Sequence, residues 1–461
     1  MFTRFAGRRL WLLSALLIAC APDSGGRPAT GSRAAAGPPN ILLLVVDTLR
    51  ADHLSSYGYA RQTSPVIDAL AARGVRFDHH RAQAPCTFPS MNSLLTSQPV
   101  ETFFGQPQGD MSIPANVATL PELLHTAGYV TAAFSASPIV RKNPTHFNHT
   151  GGFERGFDLF DDDCLWKDAR CVNERALAAL ARHKTGEPVF LFLHYIDPHG
   201  PYQAPGKVQG RRRFARPGSG RGFEPQVRSG EPHAAAARID RGEPAGIDAA
   251  GIAHWIDLYD DEIAWVDARI AEVIASFEHL EPTRPSLVVL AADHGESFLE
   301  HGTLAHCRSL FDSEIRTPLI VAGSDLPRGV VSAALSENLD IVPTLLDIAG
   351  IEVPPGRLAG RSLRATIERG ADLPARLQTA AFSGWRAAVD GRHKLMFNPD
   401  RGRQHLFDLA LDPGETADLA AEERRRAALL RRALDAERPV PEASLEAARE
   451  SERQLRALGY L

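Results

Sequence analysis

Ile41-Leu42-Leu43-Leu44-Val45-Val46-Asp47 decides how this chain folds. Six apolar residues run without alternation and stop on a carboxylate. A short continuous run of this kind reads as a strand buried on both faces of a parallel sheet. Residues 189–193, 287–291 and 319–322 read the same way. Between them lie helical patterns at 65–72, with Ser64 as N-cap and Pro65 at the first helical position, at 120–127 with Gly128 as the stop, and at 174–181 and 256–277. Strands alternating with helices predict an α/β fold, a central mostly parallel sheet flanked by helices. Beyond about residue 365, short runs at 385–389, 394–397 and 405–409 flank Asp390-Gly391 and Arg401-Gly402. They predict a small C-terminal antiparallel sheet, followed by a charged helix or helix pair over 421–458.

A chain of 461 residues can bury a large core and exceeds what one core usually holds. We expect a main domain over 39–365 and a C-terminal subdomain with a helical tail over 366–461. Within the main domain, 211–251 is rich in Arg, Gly, Pro and Ala without periodicity, and reads as a long disordered insertion. The net charge of −5 is mild, and no basic stripe interleaves with aromatics, so nucleic acid is not an expected partner. Arg4, Arg8 and Arg9 precede the apolar stretch 10–18 and Leu17-Ile18-Ala19-Cys20, which makes 1–20 a lipoprotein-type signal peptide with Cys20 lipidated. An ordinary signal cut after Ala19 is the alternative. Residues 21–38 then form a flexible tether, and the protein sits in a bacterial cell envelope, lipid-anchored or periplasmic to extracellular. Export permits disulfides. Cys164 and Cys171 are the best pair. Cys86 and Cys307 are either bridged or two separate small buried residues, the latter being the favoured reading.

Open α/β sheets bind ligands at the carboxyl ends of their strands. Here the first run ends in Asp47, the 287–291 run leads to Asp293-His294, and the 189–193 run leads to His194, Asp197 and His199. One such Asp could be a helix cap; several strand ends coinciding point to one site. Asp47, Asp293 and His294, with Thr87, are candidate ligands of a divalent metal, Ca, Mg, Mn or Zn, with one ion favoured over two. Thr87 lies in Ala84-Pro85-Cys86-Thr87-Phe88-Pro89-Ser90, where Pro89-Ser90 opens an apolar helix. A hydroxyl there is either a nucleophile beside unpaired N–H groups or a helix cap. His199 and His306 are candidate donors or general acids, because an ordinary imidazole pKa suits that task near neutrality.

Taken in order, these segments resemble the sulfatase family of the alkaline phosphatase superfamily. The match runs through Arg50-Ala51-Asp52, Tyr57-Gly58-Tyr59, residues 87–96, Asp197-Pro198-His199-Gly200-Pro201-Tyr202 and Tyr259-Asp260-Asp261-Glu262-Ile263. It continues through Asp293-His294-Gly295-Glu296, Glu300-His301-Gly302 and Asp412-Pro413-Gly414-Glu415. The resemblance implies an α/β domain with a small sheet-and-helix subdomain. It also implies hydrolysis of a phosphate or sulfate ester of a glycan, lipid or small molecule. Two departures stand out. Thr87 occupies the position of the oxidisable cysteine, and Met91 that of an arginine, so the resemblance points to a threonine variant with a covalent intermediate on Thr87. A phospho-group transferase, an unmodified-threonine sulfatase and an inactive glycan-binding relative are the alternatives.

Overall fold

The structure is a computed structural model, and it describes residues 37–103, 113–145, 148, 151–183, 186–202, 214 and 231–437. The signal peptide, Cys20, most of the tether and the end of the helical tail fall outside these residues. In chain order the strands are β1 (Asn40–Val46), β2 (Gly74–Arg81), β3 (Val130–Ser135), β4 (Leu159–Asp161), β5 (Val189–Tyr195), β6 (Ser286–Ala292), β7 (Ser297–Phe298) and β8 (Leu304–Ala305). β9 (Leu319–Gly323) and β10 (Val330–Glu337) complete the main domain, and β11 (Gln378–Phe382), β12 (Trp385–Val389), β13 (His393–Asn398) and β14 (Arg403–Asp408) follow.

Eight strands form one sheet in the order β10-β2-β9-β6-β1-β5-β3-β4. β1 lies at its centre, parallel to both β5 and β6. Ile41, Leu43 and Val45 enter one hydrophobic core and Leu42, Leu44 and Val46 the other, which is why the run shows no alternation. One expectation needs correction. β9 pairs antiparallel with both β2 and β6, so the 319–322 run is a reversed strand. Burial on both faces gives the same apolar run in either direction.

The helix expected at 256–277 extends over Ala249–Glu278, because Asp248 caps it by accepting from the Gly251 N–H at 2.9 Å. The insertion is also not structureless where described: Glu231–Asp240 is helical, with Ala235 and Ala236 buried. The C-terminal strands form a four-stranded antiparallel sheet, β11-β12-β13-β14. One face of it packs Leu395, Phe397 and Leu406 against Ala427, Leu430 and Leu434 of the helix Arg424–Glu437. The other face packs Met396 and Phe407 into a cluster that holds Cys86 and Cys307.

Candidate active site and metal centre

Strand register builds the first half of the site. Val46 pairs with Ala292, so the next residues, Asp47 and Asp293, leave the sheet side by side. The Asp47 N–H still donates to the Tyr195 carbonyl at 3.0 Å. Thr48 then takes φ +55, a left-handed turn costly for a branched residue. Asp293 Oδ1 accepts from the backbone N–H of His294 at 2.8 Å and of Thr48 at 3.2 Å, which fixes the carboxylate across the two strand ends. Its Oδ2 lies 3.4 Å from His294 Nε2, and Asp47 Oδ1 lies 3.7 Å from the same nitrogen. His294 Nδ1 faces the Gly295 carbonyl at 2.9 Å. A carbonyl only accepts, so Nδ1 carries the proton and the Nε2 lone pair faces the carboxylates.

Thr87 is the first residue of the helix Thr87–Thr96, which begins two residues before the expected Pro89-Ser90 start. Cys86 occupies the N-cap position, so Thr87 is not the cap. Its Oγ1 stands 3.1 Å from His294 Nε2. Only 3 % of the residue is exposed, which puts the hydroxyl on the floor of the site. Met91, where the family pattern has an arginine, points into the core beside Phe88, Leu94 and Leu95 and brings nothing to the chemistry.

These donors suit a divalent cation. Asp47 Oδ1 and Asp293 Oδ2 are buried and find no hydrogen-bond partner among the described residues. Together with a lone pair of His294 they form a group whose ligand atoms all lie within 4.8 Å of one another. Burial first, then the Asp293 and Glu296 charges, pushes the Asp47 carboxyl well above its ordinary range. Two converging carboxylates and an imidazole lone pair, with backbone N–H groups and the Thr87 hydroxyl as uncharged donors, are best matched by a cation between them.

The opposite wall is imidazole. His199 and His306 have ring centroids 4.7 Å apart, and His306 lies 4.7 Å from His294. The pKa expected for their acid role does not hold. Burial lowers both, and His306 is further depressed by its neighbours His199 and His294, so neither holds a spare proton near neutrality. Asp197, named with them at the same strand end, belongs elsewhere. Its Oδ2 accepts from the Ala169 N–H at 2.8 Å, at the start of the helix Ala169–Leu180. His194 is buried inside β5, and neither ring nitrogen has a hydrogen-bond partner among the described residues.

One residue escaped sequence reasoning, and one pairing went against the favoured reading. His233, from the inserted helix, joins His199 and His306 in a cluster whose ligand atoms lie within 4.8 Å of one another. No motif surrounds it; only its helix places it. Cys86 and Cys307 are bonded, contrary to the favoured reading of two separate residues. The Cys307 N–H donates to the Pro85 carbonyl at 2.8 Å, and this pairing of the two loops brings the sulfurs together. Cys164 and Cys171 are bonded as expected.

The fold and this site define an ester hydrolase of the alkaline phosphatase superfamily. The family model described as Sulfatase matches residues 39–351, and the chain belongs to the sulfatase family. Among curated relatives, an N-acetylglucosamine-6-O-sulfatase of Bacteroides thetaiotaomicron is 24% identical over 75% of this chain and 73% of its own length. A choline-sulfatase of Rhizobium meliloti is 25% identical over 83% of each chain. A crystal structure of a putative sulfatase from Bacteroides thetaiotaomicron superposes with a TM-score of 0.68 at 22% identity, over 91% of this chain and 94% of that one. A phosphonate monoester hydrolase of Agrobacterium radiobacter superposes with a TM-score of 0.66 at 19% identity, over 91% and 96%. These superpositions establish likeness of fold. An enzyme assignment sets aside the inactive glycan-binding reading.

Proposed function

We propose that the protein is a metal-dependent hydrolase of sulfate or phosphate esters that works through a covalent intermediate on Thr87. The observation that carries this reading is the 3.1 Å approach of Thr87 Oγ1 to His294 Nε2, beside two buried carboxylate oxygens, Asp47 Oδ1 and Asp293 Oδ2, that have no hydrogen-bond partner among the described residues. Asp47, Asp293, His294 and Thr87 would hold one divalent ion. When bound there, such an ion would lower the pKa of the Thr87 hydroxyl and offset charge on the transferring group. Thr87 Oγ1 forms a bond to phosphorus or sulfur as the ester bond to the leaving oxygen breaks. Its hydroxyl proton passes to solvent, and the leaving oxygen takes one from solvent. Water then cleaves the Thr87 ester, restoring the hydroxyl and releasing the anion. His199 and His306 line the space beside the ester as neutral imidazoles rather than as acids.

A threonine hydroxyl, which lacks the aldehyde hydrate of a modified cysteine, favours phosphorus; the sulfatase relatives favour sulfur. Relatives acting on an N-acetylglucosamine sulfate and on choline sulfate support an anionic ester as substrate, of a glycan or a small molecule. Aryl phosphodiester and aryl sulfate hydrolysis, measured side by side with Ca²⁺, Mg²⁺, Mn²⁺ or Zn²⁺, decides between the two. Thr87→Ala should abolish turnover of either ester without unfolding the protein. Activity equal to wild type would remove Thr87 as nucleophile. We also place the enzyme on a bacterial envelope membrane through lipidated Cys20, a reading that Cys20→Ala tests by release from the membrane fraction.

A further inference from the structure

Asp47, Asp293, His294 and the imidazole wall give Thr87 no permanent cation, and Met91 gives none either. Behind them, Arg50 and Arg308 bring guanidiniums. Arg50 is committed to the fold. Its Nε and Nη2 grip the Asp52 carboxylate at 2.9 and 2.7 Å, and its Nη1 donates to the Glu296 carbonyl at 2.9 Å. Arg308 is held more loosely. It follows His306 by two residues, and Glu314 fixes its backbone by accepting from the N–H of Arg308 at 2.9 Å and of Ser309 at 3.2 Å. The side chain is 8 % exposed and reaches the inserted helix Glu231–Asp240, where Nη2 stands 3.3 Å from Asp240 Oδ2. That contact is single and long, without the fork that grips Asp52. Asp240 lies two turns beyond His233 and so on the same helix face. Burial first, then the neighbouring rings, then the Arg308 charge lower the pKa of both His233 and His306, so the guanidinium is felt along that wall.

We propose that Arg308 binds a second anionic group of the substrate, a carboxylate or a further sulfate or phosphate, beside the ester that Thr87 attacks. His294 stands at Thr87, and the His306 ring stands 4.7 Å from that of His294. Arg308 comes after His306, so it meets the part of the substrate beyond the ester rather than the transferring group. A guanidinium recognises carboxylate, sulfate and phosphate alike through its fixed set of N–H donors, and Asp240 is the anion that the substrate displaces. The proposal rests on the function proposed for Thr87. It deepens it by naming the substrate class: an ester of a sugar or aryl ring that carries another negative charge.

The test measures KM and kcat of the full chain for two aryl esters that differ only by a ring carboxylate. Wild type should show the lower KM for the carboxylated ester. Arg308→Gln should raise that KM about ten-fold or more, and leave kcat and the KM of the plain ester where they were. Arg308→Lys, which keeps the charge without the fork, should recover part of the loss. Asp240→Asn removes the competing anion, so it should lower the KM of the carboxylated ester alone; this variant carries the test if Arg308→Gln fails to fold. An equal rise for both esters in Arg308→Gln, or a KM ratio that Asp240→Asn does not move, overturns the proposal. The two failures are distinguishable. No turnover of either ester by wild type sinks the catalytic reading and this proposal with it, whereas turnover with a ratio indifferent to residue 308 sinks this proposal alone.

Discussion

The two walls around Thr87 are built in opposite ways. Asp47 and Asp293 stand at the ends of adjacent parallel strands, where register fixes their spacing and both hydrophobic cores hold the strands still. The imidazole wall is assembled from loops and an inserted helix. His306 sits between Ala305 at φ +64 and Cys307 at φ +60, two left-handed non-glycine residues held by the Cys86–Cys307 bond. Rigid sheet holds the buried carboxylates together, and cross-linked loops hold the imidazoles. The wall made of loops is the one free to differ between relatives that share this fold.

That contrast predicts different costs when each wall is broken. Asp293→Asn should lower kcat by at least about 10³-fold, roughly 4 kcal/mol of barrier. The chelated variant should melt no lower than chelated wild type, because it removes one of two buried like charges. A lower melting temperature would mean that Asp293 is structural rather than poised for a cation. Replacing both Cys86 and Cys307 with Ser should cost about 5 kcal/mol, because the bond closes a loop with a sequence separation of 221. Denaturant melts check the cost. The damage to function should fall on the imidazole wall, since Cys307 follows His306, so the variant that still folds should lose turnover while Asp47, Asp293 and His294 keep their metal.

The same contrast explains what was legible in the sequence. β1 and β6 announced themselves because burial on both faces leaves an uninterrupted apolar run, and the ionisable residues that end them carry the first cluster. β2 was not visible, because Arg76, Asp78, His79 and His80 interrupt it. At the sheet edge, β10 alternates between half-buried and exposed positions over much of its length. The direction of β9 was unreadable for the reason given above. His233 was invisible because a residue brought in by tertiary packing of an insertion has no local pattern. Met91 shows the reverse: its place in a motif suggested a lost function, and its burial shows a core residue.

The small C-terminal sheet backs the imidazole wall through its packing on the disulfide, and a buried ion network joins it to the main domain. Lys394 is 0 % exposed, with Nζ 2.8 Å from Asp312 Oδ1 and 2.7 Å from Glu415 Oε1. Arg81 meets Asp312 at 2.6 Å. Lys394→Met should cost about 3 kcal/mol, because it strands the Glu415 carboxylate. The Arg81 and Lys394 charges outweigh burial and hold the Asp312 carboxyl far below its ordinary range. A depressed carboxyl stabilises the fold above its unfolded pKa of about 4, and that stability drains as the pH falls further. Melting temperature against pH should therefore drop below about pH 4 in wild type, and less steeply in Lys394→Met. Equal slopes would show that Asp312 is held by Arg81 alone.

The smallest effect belongs to the rim of the imidazole wall. Trp166 is 46 % exposed, and its ring meets His199 edge-on at 5.7 Å. It lies within the loop closed by Cys164 and Cys171, and its backbone N–H donates to the Ala136 carbonyl at 3.0 Å. A large, partly exposed aromatic ring beside the site suits contact with a sugar or aryl ring. Trp166→Ala should raise KM for ring-bearing esters several-fold, about 1 kcal/mol, and leave kcat unchanged. For a short alkyl ester, which offers no face to stack, KM should not move. An equal rise for both substrates would assign Trp166 to packing against His199, and would place selection of the substrate's outer portion on other residues of the loop wall.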